Sequence, residues 1–419
     1  MRMIRFPAYL LISSLPFAAP AAASAPAAAA SRPSAAAAAP AAPAAPAASP
    51  RLTAKPLQLT LPPPTGPYRI GVVSLHLTDR SRTDPWVPGH EVRQLMISIW
   101  YPARDTGRYP LAPWLEPAAA AHFERRQGVA PGLVRLPVTD GHVGAPVDRR
   151  CGGRPVVLFS PADRLDRSID TAIVEDLASH GYIVVTIDHT HDSGEVEFPD
   201  GHVEVSTLPP DSERVNTEAT AVRVADTRFV LGQLTELNAG RDPGAGHRPL
   251  PRGLAGALNL SEVGMFGFSM GGATAAGAMF SDAGIKAGID LDGTIYGPVA
   301  SKGLDRPFLL ISSQDNGRNV DHTWASFWAH LRGWRLDLRL RGAEHLAFSD
   351  AVSLYPQAAP YLHLAPAQLA KLVGTISGTR AIAIERAYVR AFFDLQLRHR
   401  DTGLLGRPSP AYPEIQFVP

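Results

Sequence analysis

Short apolar runs alternate with helical segments along most of this chain, and that alternation constrains the fold more than any other feature. Runs typical of strands lie at residues 95–102, 155–160, 183–188, 263–268, 287–291, 307–312 and 336–340. Segments typical of helices lie at residues 171–180, 217–237, 272–280 and 381–398. Alternating strands and helices form a parallel sheet, and its strands are apolar because helices cover both faces. The sequence therefore predicts an α/β fold with a mostly parallel central sheet flanked by helices.

Composition excludes several classes of protein. The 419 residues include 40 Lys and Arg against 39 Asp and Glu, so the net charge is +1. A chain with so little net charge has no overall field that recruits nucleic acid. The single cysteine, Cys151, excludes intramolecular disulfides, iron–sulfur clusters and cysteine-rich zinc sites. A hydrophobic fraction of 45% is ample for a large core, which leaves a globular α/β protein.

The first 23 residues have the pattern of a secretory signal peptide. Arg2 and Arg5 precede an apolar core at residues 6–17, and small residues follow up to Ala23. The core is shorter than the roughly 18 residues that a membrane-spanning helix needs, and two prolines interrupt it. The sequence predicts cleavage after Ala23, a secreted or periplasmic mature protein and no integral membrane span.

An alanine- and proline-rich segment follows the predicted signal peptide. Residues 26–50 contain 15 Ala and 6 Pro, a composition that cannot bury a core and is typical of an extended linker. We therefore predict a disordered linker at residues 24–51 and one folded domain at residues 52–419.

The segment G-F-S-M-G-G at residues 267–272 carries the strongest signal of chemistry. It follows an apolar strand and opens an alanine-rich helix, which is the context of a nucleophile elbow. The flanking glycines permit a strained turn that exposes the hydroxyl of Ser269. The N–H of Met270 lies at the positive end of the helix, where an oxyanion would form. The segment predicts Ser269 as a nucleophile and Met270 as an oxyanion-hole donor.

A serine nucleophile requires a base, and His345 is the best candidate. It lies just after the predicted strand at 336–340, so it would reach the same edge of the sheet as Ser269. His322 and His330 lie in a helical segment of the outer layer and compete poorly.

Two aspartates compete for the role of the acid that orients this histidine. Asp292 ends the strand at 287–291, and Asp315 follows the next strand, where many hydrolases with a nucleophile elbow place the acid. Asp290 points along the same face as Asp292 and is the candidate for a structural role. Position alone does not separate Asp292 from Asp315.

The second oxyanion-hole donor would come from a loop after an earlier strand. Residues 159–163, with the sequence F-S-P-A-D, follow the strand at 155–160. The N–H groups of this loop are therefore candidates.

The segment H-T-H-D at residues 189–192 also permits a metal hypothesis. Two histidines in an H-x-H pattern can bind zinc, and Glu195 and His202 lie nearby. No pattern supplies a third and a fourth ligand, so we predict no metal site and interpret the segment as a polar loop that lines the pocket.

Several segments are longer and more specific than the elbow alone. They are S-L-H-L-T-D-R at 74–80, D-P-W at 84–86, S-I-W-Y-P-A at 98–103, D-L-A-S-H-G-Y at 176–182, D-H-T at 188–190 and E-F-P-D-G at 197–201. Together with the elbow and the pair Asp292-Gly293, they resemble the platelet-activating factor acetylhydrolase family, in particular its plasma and type II intracellular enzymes and their bacterial relatives. The similarity extends from about residue 67 to about residue 350.

The resemblance implies an α/β-hydrolase fold for the domain at 52–419, no cofactor, and hydrolysis of short acyl esters. It places the acid at Asp292, the base at His345 and the second oxyanion donor at Asp163. Two departures are visible. Residues 161–162 are Pro-Ala where the family usually has His-Gly, and the elbow reads G-F-S where it usually reads G-H-S.

These observations predict a secreted serine esterase that acts on a small-molecule or lipid ester, including the acetyl ester of platelet-activating-factor-like phospholipids. Two alternatives stay open. A lipase or cutinase-like polyesterase would use the same three residues on another substrate. A non-catalytic protein of the same fold would bind a ligand of the cell envelope.

Overall fold

The computed structural model describes residues 55–89, 91–150, 152–246 and 249–419. The predicted signal peptide at 1–23 and linker at 24–51 lie outside these residues, as does the predicted first residue of the folded domain, residue 52. The elements below belong to the unit formed by residues Leu57–Pro419.

Fifteen strands lie in the described residues. They are β1 (Leu57–Gln58), β2 (Arg69–Thr83), β3 (Val92–Ala103), β4 (Leu111–Pro113), β5 (Val134–Arg135), β6 (Val138–Val143), β7 (Arg154–Ser160), β8 (Ile183–Asp188), β9 (Glu195–Glu197), β10 (Val203–Val205), β11 (Leu258–Phe268), β12 (Ile285–Leu291), β13 (Phe308–Ser312), β14 (Arg335–Leu340) and β15 (Ile415–Phe417).

Nine α-helices lie in the same described ranges. They are α1 (Pro117–Arg126), α2 (Thr171–Ser179), α3 (Glu213–Asn238), α4 (Met270–Ser281), α5 (Val299–Lys302), α6 (His322–His330), α7 (Ala351–Ala358), α8 (Pro366–Val373) and α9 (Gly378–Arg398). Short 3₁₀ turns lie at Thr106–Arg108 and His345–Phe348. No helix of the described residues is both long enough and apolar enough to cross a bilayer.

Eleven of the described strands form the central sheet, in the order β15-β14-β13-β12-β11-β7-β8-β3-β2-β6-β4. From β8 through β7, β11, β12 and β13 to β14, neighbouring strands pair in parallel. β3 is antiparallel to β8, β2 is antiparallel to β3, and β15 is antiparallel to β14. Helices flank the sheet, so the predicted α/β fold with a mostly parallel central sheet is confirmed.

Burial on both faces explains why the parallel strands are apolar runs. Every residue of β8 and of β13 is buried. In β11, Phe266 faces α9, where its ring centroid lies 6.3 Å from that of Phe393. Met265 points to the opposite face because side chains alternate along a strand, and it is fully buried there as well.

The predicted boundaries differ from the observed ones mainly where side chains cap or pair the ends. The helix predicted to begin at residue 217 begins at Glu213, because Oγ of Ser212 accepts a hydrogen bond of 3.2 Å from the N–H of Val215. β2 was not predicted. His345, which was predicted to lie in a loop, is the first residue of a 3₁₀ turn. These differences leave the order of the predicted strands unchanged.

Candidate active site

Ser269 lies in a strained turn between β11 and α4. Its backbone has φ 56° and ψ −121°, a conformation that costs a non-glycine residue on the order of 1–3 kcal/mol. The turn brings Ser269 to the carboxyl edge of the parallel strands, where its side chain is half-buried. This geometry is the nucleophile elbow that the sequence predicts.

Close backbone contacts explain two of the glycines around Ser269. A Cβ atom on Gly267 would lie 2.1 Å from the carbonyl carbon of Gly271. A Cβ atom on Gly271 would lie 1.9 Å from the carbonyl oxygen of Ser160. Neither position accepts a side chain, so the elbow requires both glycines. The second contact also shows that the loop that begins at Ser160 lies directly against the start of α4.

The structure brings Ser269, His345 and Asp292 into contact. Oγ of Ser269 lies 3.1 Å from Nε2 of His345, and Nδ1 of His345 lies 2.7 Å from Oδ2 of Asp292. An ionised carboxylate only accepts hydrogen bonds, so Nδ1 of the histidine carries the proton and donates a hydrogen bond to Asp292. Nε2 then keeps its lone pair for the hydroxyl proton of Ser269. The chain of contacts has the geometry of a Ser-His-Asp triad.

The carboxylate of Asp292 is buried and held from both sides. Oδ1 accepts hydrogen bonds from the N–H of Ser313 at 2.8 Å and from Nδ2 of Asn316 at 3.0 Å, while Oδ2 contacts His345. Asp292 itself has a positive φ of 57°, which aims its side chain out of β12. Asp315, the competing acid, is exposed to solvent on the loop after β13.

Asp290 supports the turn that follows Asp292. Its Oδ1 accepts a hydrogen bond of 2.9 Å from the N–H of Gly293, and its side chain is fully buried. Burial raises the pKa of this carboxyl well above its ordinary value. Asp290 therefore has the structural role for which it was the candidate.

Two backbone N–H groups flank the elbow. Met270 is the first residue of α4, so its N–H has no acceptor within the helix. Asp163 lies in the loop after β7 that contacts Gly271. Among the described residues, neither N–H donates to a backbone carbonyl group outside the regular helices and strands. The assignment of these two N–H groups as oxyanion donors stays a prediction from the sequence.

The side chain of Asp163 is buried beside several charges. Burial, and then the nearby carboxylate of Asp192, raise the pKa of Asp163 to about 6. Arg164 forms an ion pair with Asp163 and also donates to the carbonyl oxygen of Pro209 at 2.8 Å. The loop is thereby tied to the segment that precedes α3.

Phe268, where the family usually has histidine, packs on the base. Its ring centroid lies 4.8 Å from that of His345, at an interplanar angle of 43°. Phe268 is fully buried, so the imidazole has an apolar wall on one side and the carboxylate of Asp292 at Nδ1. This contact restricts the imidazole to the orientation that faces Ser269.

The H-T-H-D segment forms ion pairs and hydrogen bonds with other side chains. Nδ1 of His189 lies 2.9 Å from Oδ2 of Asp226, and Nε2 lies 3.0 Å from Oγ of Ser160. His189 is fully buried, so the prediction that this segment lines an open pocket is wrong for His189. His191 contacts Asp84 at 2.9 Å. Among the described residues, no group of three or more His, Cys, Asp or Glu side chains is placed to hold a metal ion.

Sequence reasoning missed the residues that support the three central ones. Asn316 follows Asp315 directly, and its amide in a loop at the carboxyl edge of the sheet was a signal that could have been used. His322 and His330, by contrast, lie at the two ends of α6, as expected for the outer layer.

Comparisons with known proteins identify the family of this chain. A sequence model of the family "Platelet-activating factor acetylhydrolase, isoform II" matches residues 54–398. A protein of Arthroderma benhamiae named "Probable 1-alkyl-2-acetylglycerophosphocholine esterase" is 30% identical over 394 residues, which are 87% of this chain and 95% of that protein. A Cavia porcellus protein named "Platelet-activating factor acetylhydrolase" is 25% identical over 61% of this chain and 61% of its own length.

A solved structure is similar over a comparable share of the chain. The ferulic acid esterase from Streptomyces cinnamoneus superposes with a TM-score of 0.73 at 33% identity, covering 86% of this chain and 99% of that one. The fold is consistent with an α/β-hydrolase, and the relatives identify an ester hydrolase, not a non-catalytic binding protein. The family resemblance in the sequence is confirmed. This chain belongs to the platelet-activating factor acetylhydrolase, isoform II, family.

Proposed function

We propose that this esterase hydrolyses short acyl esters, including the acetyl ester of platelet-activating-factor-like phospholipids, through an acyl-enzyme formed on Ser269. The observation that carries the proposal is the chain of contacts from Ser269 Oγ through His345 to Asp292, at 3.1 and 2.7 Å. The names of the two curated relatives support the choice of an acetyl ester.

Acylation follows from this geometry. Oγ of Ser269 bonds to the carbonyl carbon of the ester while its proton moves to Nε2 of His345. The carbonyl electron pair moves onto the oxygen, which the N–H groups of Met270 and Asp163 stabilise. The oxyanion then collapses, the bond to the alcohol breaks, and the alcohol leaves with the proton from His345. Asp292 keeps the correct tautomer and stabilises the imidazolium.

Deacylation repeats the same steps with water. Nε2 of His345 takes a proton from a water molecule as the oxygen bonds to the acyl carbon. The bond to Oγ of Ser269 then breaks, and the serine takes the proton back. The products are the free acid and the regenerated hydroxyl, and no step requires a cofactor.

A second candidate substrate class is an aromatic acyl ester. The structural similarity to a ferulic acid esterase, at 33% identity over 86% of this chain, favours it. The three contacting residues are compatible with either class because acyl and alcohol specificity depend on the surrounding loops.

A substrate panel tests both candidates. We would measure kcat/KM on p-nitrophenyl esters from acetyl to palmitoyl, on methyl ferulate, and on a phosphatidylcholine with an acetyl group at the second position. The proposal predicts a higher kcat/KM on the acetyl ester than on the octanoyl ester and release of acetate from the phospholipid. It also predicts loss of activity in Ser269→Ala. A preference for methyl ferulate would favour the second candidate, and a preference for long chains would favour a lipase or polyesterase.

We also propose that the mature enzyme is exported. The support is the N-terminal pattern of residues 1–23, which lies outside the described residues. Mass spectrometry of the protein recovered from the producing organism tests it. Export expects an N-terminus at Ser24 in the medium or periplasm, and a cytosolic protein that retains the first 23 residues would contradict it.

A further inference from the structure

We propose that Arg223 is a positioning residue for the oxyanion hole, which it orients by holding two carbonyl groups of the loop at residues 160–163. The inference rests on the proposed function because it concerns the same site. Arg223 lies in α3, outside the elbow and outside the contacts among Ser269, His345 and Asp292.

The guanidinium of Arg223 binds the loop directly. Nη1 donates to the carbonyl oxygen of Pro161, and Nη2 donates to that of Ala162 at 3.1 Å. On its other side, Nε donates to Oδ2 of Asp192 at 2.7 Å and Nη2 donates to Oδ1. Arg223 is fully buried and Asp192 nearly so. A buried two-point pair fixes the guanidinium plane, and with it the direction in which the two carbonyl groups are held.

Peptide geometry transmits this hold to the oxyanion donor. The carbonyl of Ala162 and the N–H of Asp163 belong to the same peptide group, and the described part of the chain contains no cis peptide bond. In a trans peptide group the C=O and the N–H point in opposite directions. Because Arg223 holds the carbonyl of Ala162, the N–H of Asp163 is directed away from the guanidinium. Arg223 therefore sets the direction of the predicted donor.

A second contact fixes the beginning of the same loop. Oγ of Ser160 lies 3.0 Å from Nε2 of His189, whose Nδ1 contacts Asp226 at 2.9 Å. The carboxylate of Asp226 accepts a hydrogen bond from Nδ1, so Nε2 accepts a hydrogen bond from the hydroxyl group of Ser160. The loop is thus held at Ser160 by histidine and at the next two residues by arginine. Donors that stabilise an oxyanion act by being fixed before the reaction, and these contacts supply that fixation.

The departure from the family sequence makes this hold important in this chain. Pro161 has no N–H, so it cannot help to fix the loop by donating a hydrogen bond. The carbonyl groups of Pro161 and Ala162 lie among buried residues and require donors there. Arg223 supplies both donors from a single side chain.

Arg223→Lys tests the inference, because lysine keeps the charge but lacks the planar two-point donor. With p-nitrophenyl acetate we expect kcat to fall roughly 10- to 100-fold while KM changes less than about threefold, because removing an oxyanion donor outright costs ~10²–10³ in kcat. The labelling rate of Ser269 by a fluorophosphonate should fall in parallel. The affinity for an ether analogue of the substrate, which forms no oxyanion, should not change.

Arg386→Lys is the matched control. Arg386 is a buried arginine of α9 that also donates to backbone carbonyls, those of Ala172 at 2.9 Å and of Pro62 and Pro63 at 2.8 Å. Arg386→Lys should lower the Tm of the protein and leave kcat near the wild-type value. If both variants lose kcat in proportion to their loss of folded protein by circular dichroism, Arg223 is only structural and the inference is wrong.

Two further variants keep the outcomes distinct. If Arg223→Lys does not fold, Asp192→Asn weakens the same guanidinium anchor with no change of shape and should reproduce the fall in kcat at constant KM; an unchanged kcat there overturns the inference. If Ser269→Ala retains wild-type activity, the proposed function itself is wrong and this inference falls with it. If Ser269→Ala is inactive while Arg223→Lys keeps the wild-type kcat, only the role of Arg223 is wrong.

Discussion

Asn316 donates a hydrogen bond of 3.0 Å from Nδ2 to Oδ1 of Asp292, the carboxylate oxygen that His345 does not contact. The loop after β13 therefore supports Asp292, the proposed acid that follows β12. Asp315, the adjacent residue in that loop, is exposed. With Asp292 as the proposed acid, this contact explains how an acid one strand earlier than in many hydrolases of this fold would be held in place.

The first prediction compares the two aspartates. Asp292→Asn should reduce kcat by about 10⁴, as the equivalent change does in serine proteases, because the amide stabilises the wrong tautomer of His345. Asp315→Asn should leave kcat within about threefold of wild type, since an exposed side chain seldom changes function. The measurement is kcat/KM on p-nitrophenyl acetate, with circular dichroism to check folding. A crippled Asp315→Asn together with an active Asp292→Asn would show that the acid is misassigned.

The second prediction concerns the contact between the elbow and the loop after β7. Gly271→Ala should destabilise the protein by about 3 kcal/mol or more, because the new Cβ would lie 1.9 Å from the carbonyl oxygen of Ser160. Gly232→Ala is the matched control in α3, since a Cβ atom there meets nothing within 4 Å. It should stabilise the protein by about 0.5–1 kcal/mol. Urea unfolding of both variants decides the prediction, and equal midpoints would contradict it.

The residues whose positions follow from topology could be predicted from the sequence. Ser269 and His345 are separated by 76 positions, yet both follow parallel strands, and the carboxyl ends of such strands share one edge of the sheet. The buried parallel strands themselves were recognised because burial on both faces makes them continuous apolar runs. β2 was missed because the strands were predicted from continuous apolar runs. Residues 74–79 of β2 instead alternate between half-buried and buried positions, which is the pattern of a strand with one exposed face.

The contacts of Arg223 with the loop after β7 could not be predicted, because no local pattern encodes them. Arg223 reaches the loop at Pro161 across 62 positions, and only the packing of α3 brings them together. Asp292 and Asp315 could not be separated by position alone, since both follow parallel strands. Their difference depends on whether each side chain turns toward the site, and the positive φ of Asp292 is a property of the folded backbone.

The third prediction concerns a buried cluster of charges around Asp226, which His189 links to Ser160. Asp226 is fully buried and accepts from Arg93 at 2.7 Å, Arg82 at 2.8 Å and His189 at 2.9 Å. Burial alone would raise the pKa of Asp226, but Arg93 and His189 hold it far below its ordinary value. Asp226→Asn should destabilise the protein by about 3–5 kcal/mol, because it leaves Arg93 buried without its main counter-charge.

Glu236→Gln is the control for this prediction. Glu236 lies on the same helix and pairs with Arg241 in an exposed position, so its neutralisation should leave the free energy of unfolding nearly unchanged. Denaturant unfolding at neutral pH compares the two variants. Because the folded pKa of Asp226 is depressed, its contribution persists above pH 3.8 and declines only on acidification below that value. A destabilisation as small as that of Glu236→Gln would contradict the prediction.

The fourth prediction is a pH dependence that originates at His191. Nδ1 of this residue lies 2.9 Å from Asp84, and Nε2 lies 3.2 Å from Glu204. Burial alone would lower the pKa of His191, but the two carboxylates raise it above its ordinary value of 6.5. A raised pKa in the folded state stabilises the fold fully below pH 6.5, and the stabilisation is lost as the pH rises through the folded value. His191→Asn should therefore cost about 1 kcal/mol more at pH 5.5 than at pH 9, and asparagine tolerates the φ of 65° at this position. Urea unfolding of both proteins at the two pH values measures the difference, in which the titrating groups that do not contact His191 cancel. A cost that grows toward pH 9 would show that the two carboxylates do not stabilise the protonated histidine.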